Sequence, residues 1–203
     1  NDFQETAAER VFNRMLHTER ENVTVALFNK LLAVFAKTKN SVSAQRYFDM
    51  IQEVCNAPPT AVSYGSLLHS FGHTGDSRNA RLYFDKMVAA QITPNIVSLN
   101  HVLQSYAKAK QADEAESWMS EFRAYGLTPD LFSYNICINA HAKDGNSIAA
   151  VKMFDRLEKS GNVPDVISFT SVVSSFVKNG DVAQATRWLE KMLSQDLEPN
   201  NVM

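Results

Sequence analysis

An amide stands where a helix should be apolar. In LTPDLFSYN, Leu127 to Asn135, Pro129 and Asp130 come just before an apolar run and Asn135 lies one turn inside it. Asp130 suits a helix N-cap, because its side-chain oxygen can take a free backbone N–H of the first turn. Asn135 does not fit that role. An amide among core-directed side chains must face solvent or have a partner. Asn offers both a donor and an acceptor, ionised Asp only accepts, and Thr supplies a hydroxyl. The chemistry such residues support is recognition by hydrogen bonding.

Groups that make and break bonds are present without the spacing for it. The sequence has no GxSxG, no P-loop glycines, no HExxH and no clustered carboxylates beyond solvated helix faces. Its five histidines are read as giving no metal-site signal. Cys55 and Cys137 are far apart, form no CxxC, and are expected to be reduced thiols. No enzymatic activity, cofactor or metal is expected. With 203 residues, 45% apolar, the chain has material for a substantial core. No apolar run approaches the ~18 residues of a membrane span, so a soluble chain is expected. It lacks an initiator Met and is read as a piece of a longer protein whose targeting segment lies elsewhere. A net charge of −2 gives no global argument for nucleic acid.

The elements that must position Asn135 emerge from a repeat. Pro94-Asn95, Pro129-Asp130, Pro164-Asp165 and Pro199-Asn200 follow one another at intervals of 35 residues. Five segments result: 25–60 with one extra residue, 61–95, 96–130, 131–165 and 166–200. Residues 1–24 resemble the second half of a preceding unit, and 201–203 begin another. Phe28, Tyr64, Leu99, Tyr134 and Phe169 share the fourth position, and Phe35, Phe71, Tyr106, His141 and Phe176 the eleventh. Ala44, Ala80, Ala115, Ala150 and Ala185 share the twentieth, which predicts a close helix approach there. Leu99, Val102, Leu103 and Tyr106 show the helical period of a first helix, and Ala185, Trp188, Leu189 and Met192 that of a second. Between them fall Gly75-Asp76, Gly145-Asn146 and Gly180-Asp181, with Gly ending one helix and Asp or Asn capping the next. One such hairpin cannot bury both apolar stripes, so neighbours must stack. The expected fold is all-α, a superhelical solenoid of tandem helix-turn-helix repeats, with Trp118 and Trp188 in its core.

A second stripe on each first helix is not needed for stacking. Positions 2, 5, 9 and 13 share one face. They read Ala26-Asn29-Ala33-Lys37, Val62-Gly65-His69-His73, Val97-Asn100-Gln104-Lys108, Phe132-Asn135-Asn139-Lys143 and Ile167-Thr170-Ser174-Lys178. Of the 22 acidic residues, only Asp144 falls within the first fourteen positions of a complete repeat, so this face is locally cationic. Such a focused positive surface suits a phosphate backbone.

The 35-residue unit with a VxxYN-like start, a Lys before the mid-repeat Gly, a shared Ala and a Pro-Asp close resembles the pentatricopeptide repeat family. LFSYNICINAHAKDGNSIAAVKMFDRLEKSGNVPD matches that pattern from end to end, and the resemblance covers essentially the whole chain. It implies binding of single-stranded RNA in a mitochondrion or plastid, one base per repeat. Carried across, it pairs Asn29 with Thr60, Gly65 with Asn95, Asn100 with Asp130, Asn135 with Asp165, and Thr170 with Asn200 as base readers. Ala26, Val62, Val97, Phe132, Ile167 and Val202 would stack on bases, and Lys37, His73, Lys108, Lys143 and Lys178 would meet phosphates. The family's code gives 5′-U-U-A-3′ for repeats three to five. Gly65 departs from the pattern, having no side chain to read with. The alternative is architectural: a protein-binding scaffold or a structural subunit of an organellar ribosome or other complex.

Overall fold

The computed structural model describes residues 7–198, and Pro199, Asn200 and Val202 lie outside them. Among the described residues the chain forms eleven α-helices, two short 3-10 segments and no strand. Helix α1 is Ala7–Thr18. The first helices of the repeats are α2 (Val25–Thr38), α4 (Ala61–Thr74), α6 (Ile96–Lys108), α8 (Leu131–Lys143) and α10 (Val166–Lys178). Their partners are α3 (Ser41–Cys55), α5 (Ser77–Ala89), α7 (Ala112–Ser120, continued by a 3-10 turn over Glu121–Tyr125), α9 (Ser147–Lys159) and α11 (Val182–Leu193). No helix among the described residues is long and apolar enough to cross a membrane.

The helix starts have a common cause. Thr60, Asp130 and Asp165 each accept the N–H of the Ser three residues on, while that Ser takes the capping residue's own N–H, a reciprocal capping box. Asn95 and Ser98 make the same exchange, with Ser98 N donating to Asn95 Oδ1 at 2.9 Å and Asn95 N to Ser98 Oγ at 3.1 Å. The second helices are capped by Asn40, Asp76, Asn146 and Asp181. Each cap contributes about 1 kcal/mol. The turn before them needs a left-handed residue, supplied by Gly75 (φ 82°), Gly145 (φ 75°) and Gly180 (φ 72°). In the other two repeats Lys39 (φ 57°) and Lys110 (φ 61°) take that conformation, at a steric cost glycine avoids.

By internal contacts the chain divides into two units, Asn1–Ser105 and Tyr106–Met203. In the first, α2 packs on α3 and α4, and α4 on α5. Its core holds Phe28, Leu32, Phe35, Ile51, Leu68, Phe71 and Phe84, all without exposure. Phe48 meets Tyr64 and Tyr83 edge to face, and the Tyr83 hydroxyl donates to Asp49 at 2.7 Å. In the second unit α8 packs on α9 and α10, and α10 on α11. Phe154 fits between Phe169 (4.7 Å) and Trp188 (4.8 Å). Trp118 is buried as expected, whereas Trp188 is half-buried with Lys191 Nζ over its ring. The five alanines of the twentieth position are all buried, so a larger side chain there would push packed helices apart. Cys137 is buried and Cys55 half-buried, both as free thiols. Burial and the nearby Glu116 carboxylate push the Cys137 thiol up to about 12. His141 replaces the aromatic ring of its repeat position and, fully inside, lies 3.5 Å from Glu116.

Candidate nucleic-acid interface

The partner of the helical amide is a residue thirty positions away. Asn135 is 7% exposed, and its Nδ2 donates to Asp165 Oδ1 at 3.0 Å. Ser168 Oγ donates to Asn135 Oδ1 at 2.6 Å while accepting Asp165 N at 3.2 Å. Asp165 Oδ1 also accepts Ser168 N at 2.9 Å. One carboxylate thus caps α10 and holds an amide of α8. In the first unit Asn29 repeats this arrangement: Nδ2 donates to Thr60 Oγ1 at 3.3 Å and Oδ1 accepts from Ser63 Oγ at 2.6 Å. The arrangement leaves the second Asn135 N–H and the Asp165 carboxylate edge side by side, a donor beside an acceptor.

Repeat two shows what happens when the amide is missing. Gly65 has no side chain, and Ser98 Oγ turns back to donate to the Asn95 carbonyl at 2.7 Å. A Cβ at Gly65 would meet nothing within 4 Å, so the space for a reader is there and unused. Asn100 is buried like Asn135. The Thr170 hydroxyl is buried with no hydrogen-bond partner among the described residues, and Asn200, assigned to it, lies outside them. Sequence reasoning missed the serines Ser63, Ser98, Ser133 and Ser168, nearly all without exposure. Their recurrence at the third position was the available signal.

The second position of each repeat carries an apolar side chain that the core does not use. Val62 (61%), Val97 (54%), Phe132 (55%) and Ile167 (56%) are exposed, as is Ala26, whereas Val202 lies outside the described residues. A surface Phe or Ile alone requires no explanation, but exposure at the same repeat position recurs in both units, at Val62 and Val97 and at Phe132 and Ile167.

The basic residues divide into three kinds. Lys37, Lys108 and Lys143 are exposed. Lys178 is exposed too, yet its Nζ donates to the Lys143 carbonyl at the end of α8, so it also satisfies an open helix C-terminus. His73 is half-buried, and its Nε2 lies 2.8 Å from His69 Nε2, one ring donating to the other. His69 and His73 are an HxxxH pair on α4, a spacing present in the sequence and passed over when the histidines were read as giving no metal-site signal. His101 of α6 stacks on His69 with ring centroids 4.7 Å apart. Burial and the neighbouring His73 lower the His69 pKa. Burial, with His69 and His73 beside it, brings His101 down to about 4. Among the described residues, no group of three or more His, Cys, Asp and Glu side chains is arranged to hold a metal ion.

Tandem helical hairpins, with Thr60 and Asp165 each capping a helix and meeting the first helix of its own repeat, define an α-solenoid of the repeat class. The sequence matches the PPR repeat family over residues 94–143 and 129–178, and the PPR repeat over residues 62–92 and 167–197. The chain belongs to the pentatricopeptide repeat family. Similar solved structures include the pentatricopeptide repeat protein PPR10 from maize, with a TM-score of 0.74 and 22% identity over 95% of this chain. The PPR domain of Arabidopsis thaliana protein-only RNase P 1, determined in complex with tRNA, has a TM-score of 0.70 and 15% identity, covering 87% of this chain and 92% of that one. Arabidopsis thaliana nuclear protein-only RNase P 2 has a TM-score of 0.66 and 18% identity, covering 81% and 37%. The chain spans 28% of the PPR10 structure. At these identities the likeness is one of fold. Comparison with curated proteins gave no match.

Proposed function

We propose that this chain binds single-stranded RNA along the face made by positions 2, 5, 9 and 13 of its first helices, one base per repeat, and performs no chemistry itself. The observation that carries this reading is the exposure of Val62, Val97, Phe132 and Ile167 at the second position of their repeats, with the amides of Asn100 and Asn135 buried one turn on. Base stacking contributes ~1 to 3 kcal/mol per base. Stacking on apolar side chains accepts any base, and the polar pair alongside supplies selection. At Asn135 and Asp165 a donor beside an acceptor complements a base edge that offers the reverse order. Under the family's code the Asn100–Asp130 and Asn135–Asp165 pairs take U and the Thr170–Asn200 pair takes A, giving 5′-U-U-A-3′. That the protein serves organellar RNA metabolism belongs to the same proposal, drawn from family membership. The tRNA complex determined for the PPR domain of protein-only RNase P 1 supports an RNA ligand for this fold.

Repeat two favours a different reading locally. Gly65 brings no reader, so the scaffold role assigns that repeat to protein contact or to structure alone. Fluorescence anisotropy with oligomers containing UUA or the same bases scrambled separates the two. RNA reading gives tighter binding to UUA, and the double variant Asn135→Thr, Asp165→Asn moves preference at the second U toward A. Equal and negligible binding to both oligomers leaves the scaffold.

A further inference from the structure

The HxxxH pair of α4 has a geometry that the RNA reading does not use. His69 and His73 are one helical turn apart and turn their Nε2 atoms toward one point, 2.8 Å from each other. Both are half-buried, at the ninth and thirteenth positions of their repeat. Two converging imidazole nitrogens four residues apart on a helix are a chelating pair for a divalent transition ion, because neutral imidazole is a ligand such ions prefer. Two nitrogens at ~2.05 Å from a tetrahedral ion stand about 3.3 Å apart. The rings need to open by roughly half an ångström, within the reach of two partly exposed side chains.

The packing around the pair holds one of its rings in place. His101 lies on the His69 ring at an interplanar angle of 29°, a stacking contact that fixes the ring and keeps His101 from sharing the ion. That contact depends on a close helix approach at Gly72, where a Cβ would stand 3.0 Å from the His101 carbonyl oxygen and 3.2 Å from Gln104 Oε1. The other complete repeats carry Ala36, Ala107, Ala142 or Val177 at this place.

We infer that His69 and His73 form a two-ligand site for a borderline divalent transition ion, of the Zn²⁺, Ni²⁺ or Cu²⁺ type, with water completing the shell. His73 occupies the position held by Lys in the other four repeats, so a bound ion places a divalent positive charge at that position. The site stands on α4 alone and is independent of whether the chain binds RNA.

The test titrates Ni²⁺ into the RNA-free chain, read by calorimetry and by the imidazole nitrogen resonances in NMR. The expected result is one ion per chain, with the Nε2 resonances of His69 and His73 moving first and that of His17 unmoved. His69→Gln and His73→Gln should each weaken binding at least about tenfold, and His17→Gln should leave it unchanged. Binding unaltered in the double variant, or ring nitrogens of His69 and His73 unmoved while Ni²⁺ binds elsewhere or not at all, overturns the assignment. The NMR readout uses the unaltered chain, so it decides the matter even where a variant fails to fold.

Discussion

At the scale of residues, Asp165 and Thr60 each do two things at once: they cap the helix that follows and hold an amide on the first helix of their own repeat. The two roles separate by substitution. Asp165→Asn keeps a good N-cap, so denaturant unfolding should change by a few tenths of a kcal/mol while the base preference of that repeat shifts. Asp165→Ala loses the cap and removes the partner of a buried amide, and should cost about 1 to 3 kcal/mol. Equal stability loss in both would mean that the carboxylate charge, not the capping oxygen, secures the helix start. The pairing of Asn135 with Asp165 follows from the repeat register, whereas the Ser168 hydroxyl that completes it was legible only as a serine kept at the third position.

At the scale of elements, the turn between the helices of each repeat decides local stability. Lys110, at φ 61° between α6 and α7, takes a conformation that glycine adopts without strain. Lys110→Gly should raise stability by roughly 1 kcal/mol in thermal or denaturant unfolding, although glycine also loosens the unfolded chain. The cluster on α4 and α6 gives a pH dependence. His101 titrates at about 4 when folded, against an ordinary value of 6.5, so the unfolded chain binds the proton first as pH falls. The stability gained by keeping the ring neutral is complete above pH 6.5 and lost as the pH drops through about 4, on the order of 3 kcal/mol. Denaturation midpoints between pH 7 and 4 measure it, and His101→Gln should flatten that part of the curve.

At the scale of the whole molecule, net charge and local charge point in opposite directions. The chain is net acidic, yet the first-helix segments hold Lys37, Lys108, Lys143 and Lys178 with one acid, Asp144. Single-stranded RNA affinity should therefore fall with salt at a slope of about −0.7 per phosphate neutralised, near −3 for four lysines. Lys143→Ala should reduce the slope by about 0.7. Lys178→Ala should reduce it less, because Lys178 Nζ already satisfies the Lys143 carbonyl. A slope unchanged in Lys143→Ala would remove that lysine from the phosphate contacts.

The sequence by itself determined the hairpin architecture and the face formed by positions 2, 5, 9 and 13, because a 35-residue period and a helical period are local regularities that any stacked solution must respect. It also determined the caps, since Asp, Asn and Thr act on the backbone within three residues. Tertiary structure decided through which atoms the paired residues meet, and where a pair fails to form. Asn135 reaches Asp165 because α8 and α10 lie side by side, and Ser98 turns to its own backbone because Gly65 leaves it nothing to hold. The same reason applies to the histidines. Their HxxxH spacing is written in the chain, but the third ring, laid over His69, depends on a helix approach that only packing sets.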